Sequence, residues 1–131
     1  MYITLESDYA IRIVYFISKQ DKRVDAKTIA ENTSVSLRFS LKILRQLANN
    51  GILKSFKGAN GGYEINRPLD LISLNDVIET IEGVYTLNRC TRSDFVCNKH
   101  LNYDCKFNEI FKEISEIVIE KMKSVKFSDI E

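Results

Sequence analysis

The stretch "LRFSLKILRQLANNGILKSFKGANGGYEINRP", residues 37–68, constrains the fold more than any other. A helix-period run ends at Gly51, a residue type suited to the backbone just past a helix C-cap. Two β-prone runs, "ILKSFK" and "YEIN", then flank the turn "GANGG", the pattern of a hairpin. Arg67-Pro68 closes the unit, because proline cannot continue a strand ladder. Within the helical run, Leu37, Leu41, Leu44 and Leu47 recur at offsets of 4, 3 and 3 and are expected to face the core. Arg38, Lys42, Arg45 and Asn49 recur at offsets of 4, 3 and 4 and form a second, basic face.

The flanking sequence supplies the partners for that helix. Thr4 is placed to cap a helix running to about Lys19, with Leu5, Tyr9, Ile13, Phe16 and Ile17 at helical spacing. "QDKR" reads as a connector. Asp25 suits the N-cap of a short second helix, "AKTIAEN", and "TSVS" follows as a tight turn. Ser36 then caps the basic helix. After the hairpin, Ser73 starts a fourth helix with Asp76 in capping-box position and Gly83 at its end. A last helix is expected from about Asp104 to Val125, with a broad apolar stripe from Phe107 to Val125. Its length of about 30 Å exceeds what a domain this small needs for its own core. The fold class is mainly α with a small β-hairpin. The order of elements is that of a winged helix-turn-helix followed by a long C-terminal helix. Three regions are expected: a winged helix-turn-helix domain at 1–83, a cysteine-containing loop at 84–106, and the long helix with tail at 107–131.

Composition bounds the function. The chain has 131 residues, 44% of them apolar, and no apolar run of the roughly 20 residues that span a bilayer. No secretory signal opens it, so the cytoplasm is the expected compartment and no membrane partner is expected. Net charge is only +1. Residues 36–67, however, hold six basic side chains against Glu64 alone, a net of +5. A basic segment in a neutral chain fits a local polyanion contact. The alternative is a solvated charged face.

Together these features point to double-stranded DNA. The helix at 37–49 would bury its leucines and present Arg38, Lys42 and Arg45 to the major groove, with Phe39 beside them. Ser36 at its N-terminus would meet a phosphate. Lys57 and Asn60 in the wing would reach the minor groove or flanking phosphates.

The second constellation is "CTRSDFVCNKHLNYDC", from Cys90 to Cys105, which holds all three cysteines and the single histidine, His100. Thiolates are the usual ligands of iron–sulfur clusters and structural zinc. The spacing is C-x6-C-x7-C. Core packing is the bland reading, and clustering of all the thiols argues against it. A zinc site with Cys90, Cys97, Cys105 and His100 is chemically sound, although zinc spacing is usually shorter. A thiol-redox switch is a further alternative. An enzyme is not expected: no nucleophile–base pair carries a local signature, and "GANGG" precedes a strand rather than a helix. A protein-interaction module that binds an enzyme partner is the alternative of another class.

The run "SLRFSLKILRQLANNGILKSFKGANGGYEINRPLDLISLNDVIETIEG", with "SDYAIR" upstream, resembles the Rrf-two family of bacterial winged-helix transcriptional regulators, of IscR-like and NsrR-like type. The resemblance covers nearly the whole chain. It implies a homodimer held by the last helix, which makes 107–131 a dimerisation helix with tail and 84–106 an effector loop, a palindromic operator, and an effector sensed between helix four and the last helix. It also implies an iron–sulfur cluster, [2Fe-2S] or [4Fe-4S], on Cys90, Cys97 and Cys105. The IscR-like fourth ligand is a histidine three residues after the last cysteine, where this chain has Asn108. The NsrR-like fourth ligand is an aspartate of the partner subunit, a position matched by Asp8; His100 is the other candidate.

Overall fold

The computed structural model describes residues 2–99 and 105–131. Five α-helices and one hairpin are found among them, in the order α1 (Leu5–Ser18), α2 (Ala26–Thr33), α3 (Leu37–Asn49), β1 (Leu53–Phe56), β2 (Gly62–Ile65), α4 (Leu74–Glu82) and α5 (Lys106–Ser124). The expected caps form. Thr4 accepts the Ser7 N–H, Asp25 the Thr28 N–H, Ser36 the Phe39 N–H and Ser73 the Asp76 N–H. The Asp25 bond, at 2.7 Å, holds that carboxyl below its ordinary range. At Ser73 the box is complete, because Asp76 also accepts the Ser73 N–H at 2.8 Å. The turn between α2 and α3 works because Ser34 adopts left-handed backbone, φ 58°.

The core is one cluster. Ala10, Ile13, Val14 and Ile17 of α1 meet Ile29 of α2 and Ile43, Leu44 and Leu47 of α3. Ile52, Leu53, Ile72, Val77 and Phe127 complete it. Each fully buried Ile or Leu contributes about 1.5–3 kcal/mol relative to exposure. Phe127 brings the chain end back to this core. Its N–H reaches the Ile72 carbonyl at 3.0 Å, while the Leu74 N–H reaches the Val125 carbonyl at 2.8 Å.

One expectation about packing is corrected. The buried face of α3 is Ser40, Ile43, Leu44 and Leu47, while Leu37 and Leu41 are exposed at 47% and 40%. At 3.6 residues per turn the buried four fall within about 100° of arc, and Leu37 and Leu41 fall outside it. The connector "QDKR" carries no helix or strand, as expected. Val24, just after it, pairs with Tyr63 through N–H···O bonds of 3.0 and 2.8 Å, a minimal third strand on the hairpin. In the hairpin itself, Leu53 faces Ile65 and Phe56 faces Gly62. Gly62 is required there: its φ is +144°, and a Cβ would lie 2.6 Å from the Val24 carbonyl oxygen.

Helix α5 begins one residue after Cys105 and agrees with the expected span where it is described. Only Ser115 and Met122 are buried along it. Phe107, Ile110, Ile114 and Ile117 are exposed, so half of its apolar stripe is left open by the described residues. No described helix is long and apolar enough to cross a membrane.

Candidate functional site

The surface expected to face DNA is built by α3 and the wing. Ser36 is spent partly on capping, since its Oγ accepts the Phe39 N–H at 3.3 Å, but its hydroxyl proton can still be donated. Arg38 and Arg45 are exposed on one face of α3. Lys42 lies on the same side, but its Nζ sits 3.0 Å from Glu6 Oε1 of α1. Both groups are substantially solvated, so the pair is weak and salt-sensitive. Phe39 turns toward α1, its ring edge-on to Tyr9 at 6.3 Å between centroids. Lys57 and Asn60 are exposed at the wing tip. The structure thus leaves Arg38, Arg45 and Lys57 presented outward, and gives Lys42 and Phe39 contacts to α1.

Arg23 belongs to this surface and was not expected there. Its guanidinium carbon lies 3.4 Å from the Phe56 ring centroid, and its Nη1 donates to the Asn60 carbonyl at 3.4 Å. It therefore braces the wing from the connector. Nothing local marks it, because both contacts join residues distant in sequence.

The second zone is formed by the segment that follows α4 and by the first turns of α5. A pocket of about 340 Å³ is lined by Cys90, Cys97 and Cys105, together with Arg92, Phe95, Asn108 and Lys112. The fold therefore brings the three cysteines to one place. Cys90 lies in a short 3-10 turn, Arg89–Thr91, and Cys105 is the N-cap residue of α5. The Cys105 side chain makes no capping bond, so its sulfur is not occupied in ending the helix. Asn108 does not line the pocket idly. Its amide donates to the Cys90 carbonyl at 2.7 Å. Further along α5, Ser115 accepts the Leu87 N–H at 2.9 Å. Arg92 grips Asp94 through two bonds of 3.1 Å, which holds the Asp94 carboxyl below its ordinary range.

In donor type this set fits a soft metal or an iron–sulfur cluster: three cysteines line one pocket with the cation of Lys112 beside them, while the charge of Arg92 is already met by Asp94. Among the described residues, no three His, Cys, Asp or Glu side chains are close enough to hold a metal ion as they stand. Asp8 does not line this pocket in the same chain. Its carboxylate pairs with Arg12 at 2.7 Å on α1. His100 lies outside the described residues.

A three-helix unit with a paired wing and an outward cationic helix defines a winged-helix DNA-binding regulator. The chain belongs to the Rrf2 family: the family model described as Rrf2, iron-dependent transcriptional regulator, matches residues 3–131. Its relatives are transcriptional regulators rather than enzymes. The HTH-type transcriptional regulator NsrR of Bacillus licheniformis is 28% identical over 92 residues, which cover 69% of this chain and 64% of that one. The chain therefore matches less than two thirds of that regulator's length. Among solved structures, CymR of B. subtilis, the global cysteine regulator, is similar at a TM-score of 0.77 and 23% identity, covering 99% of this chain and 95% of that one. T. potens IscR is similar at 0.74 and 21%, covering 99% and 85%. These two likenesses establish the fold.

Proposed function

We propose that this regulator works as a homodimer on a palindromic operator, and that an iron–sulfur cluster on Cys90, Cys97 and Cys105 sets its affinity for DNA. The observation that carries the reading is the convergence of the three cysteines on one pocket at the junction between the DNA-binding half and α5. The family's description as iron-dependent and the relative named NsrR support it. A cluster bound there would supply a group reactive toward oxygen or nitric oxide. The chain's own residues do the rest. Asn108 ties the Cys90 turn to α5, and Ser115 ties Leu87 to the same helix. A rearrangement of the thiols therefore moves the segment that follows α4. The partner's copy of Asp8 is the proposed fourth ligand, with His100 as the alternative. The uncovered stripe of Phe107, Ile110, Ile114 and Ile117 is the proposed dimer face.

Anaerobic purification followed by visible absorbance and iron and sulfide analysis tests the cluster. Stoichiometric iron and sulfide with a thiolate-to-iron band is expected. A colourless protein without iron, even after anaerobic reconstitution, overturns it. A thiol-redox or zinc-bound regulator is the second reading, favoured by the same three cysteines with Lys112 beside them. Stoichiometric zinc, or operator binding abolished by oxidant and indifferent to iron, would select it.

A further inference from the structure

We propose that Leu41 is a specificity-determining residue that reads the C5 methyl group of thymine in the major groove, with Leu37 beside it. The inference rests on the DNA-binding reading of α3. Its starting point is the exposure of two large leucines where burial was expected, Leu37 at 47% and Leu41 at 40%.

Their position is not arbitrary. On a helix of 3.6 residues per turn, Leu41 lies about 60° from Arg38 and about 40° from Arg45 around the axis. It thus borders the cationic stripe directly. Phe39 and Lys42 sit on the other border, where Tyr9 and Glu6 of α1 engage them. On the leucine border, Leu37 and Leu41 keep 47% and 40% of their surface open. The surface is therefore an aliphatic strip edged by arginines, within a segment of net charge +5.

A polyanion that also offers an apolar feature is the complement of such a strip. In duplex DNA the phosphates meet the cations. On the floor of the major groove only thymine carries a methyl group, at C5. Leucine has no hydrogen-bonding atom, so Leu41 cannot read a base edge by donor and acceptor pattern. It can bury a methyl group, and this gives it a preference for thymine over the other bases.

The test uses the full chain, both as purified and after anaerobic reconstitution with iron and sulfide. Binding sites are enriched from a random duplex library. Each thymine of the enriched site is then replaced by deoxyuridine, which removes only the methyl group, and affinity is read by fluorescence anisotropy. The wild type is expected to lose about fourfold at one or two thymines per half-site, the value of one buried methyl group. Leu41→Ala is expected to bind thymine and uracil duplexes equally at that position, and Leu41→Met to keep the discrimination. Circular dichroism confirms that the variants fold. If the wild type binds every uracil duplex as tightly as its thymine parent, or if Leu41→Ala keeps the methyl effect, the inference is wrong and DNA binding by α3 stands. If no sequence is enriched at all, the DNA-binding reading fails and the inference falls with it.

Discussion

The side-chain amide of Asn108 donates a 2.7 Å hydrogen bond to the carbonyl oxygen of Cys90, fastening the cysteine segment to the first turn of α5. Asn108 stands where the IscR-like members of the family were expected to have a ligand. Here it serves as a brace for a thiol-bearing turn. A neutral hydrogen bond of this kind contributes about 1 kcal/mol. Asn108→Ala is therefore expected to open the turn locally. Labelling of Cys90 by a maleimide should accelerate about fivefold, with the melting temperature of the DNA-binding half unchanged. Equal labelling rates would show that the bond does not hold the turn.

Glu6 and Lys42 lie 3.0 Å apart, so under the proposed function α1 competes with DNA for a cation of α3. Glu6→Gln is expected to raise DNA affinity by up to about fivefold at low salt, the range of a solvated ion pair. Arg38→Ala has no such compensation. It should reduce the slope of log affinity against log salt by about 1. An unchanged slope would remove Arg38 from the phosphate-contacting set.

Gly62 and Gly51 both have positive φ, but they differ in surroundings. An added Cβ at Gly62 would meet the Val24 carbonyl oxygen at 2.6 Å, whereas at Gly51 nothing lies within 4 Å. Gly62→Ala is expected to cost about 2–3 kcal/mol and to detach the wing from Val24. Gly51→Ala should cost only about 1 kcal/mol, from backbone strain alone. Urea unfolding of the two variants checks the order, and equal losses would contradict it.

What could be read from the chain and what could not divide along physical lines. Thr4, Asp25, Ser36 and Ser73 cap their helices as expected, because a cap is decided by residues three positions apart. The hairpin was equally local, a Gly/Asn turn between two β-prone runs. The inward face of α3 was misjudged by following leucines alone. Ser40, small and fully buried, and Ile43 take the inward positions instead. Arg23 on Phe56 and Glu6 on Lys42 join residues far apart in sequence, which no local pattern marks. The cysteines were legible as a group by their clustering. That they share a pocket with Arg92 and Lys112 depends on how α5 returns past the Arg89–Thr91 turn.

Ile117 is 69% exposed at the C-terminal end of the exposed α5 stripe. Ile117→Asp would bury a charge in the proposed dimer face, a change that costs several kcal/mol. The dissociation constant of the dimer should rise more than about 100-fold, giving a monomer in sedimentation equilibrium. A wild-type chain that is itself monomeric at micromolar concentration would remove this face from the account.

The central claim is that the state of the cysteine pocket sets the grip of α3 on DNA. The most direct measurement is the affinity of the wild type for an enriched duplex, by anisotropy at fixed salt, before and after removal of bound iron and sulfide. The same pair of measurements on Cys90→Ser, Cys97→Ser, Cys105→Ser provides the control. The account predicts a change of at least about tenfold in the wild type, a coupling of about 1.4 kcal/mol, and none in the triple variant. An identical affinity in both states of the wild type would contradict it.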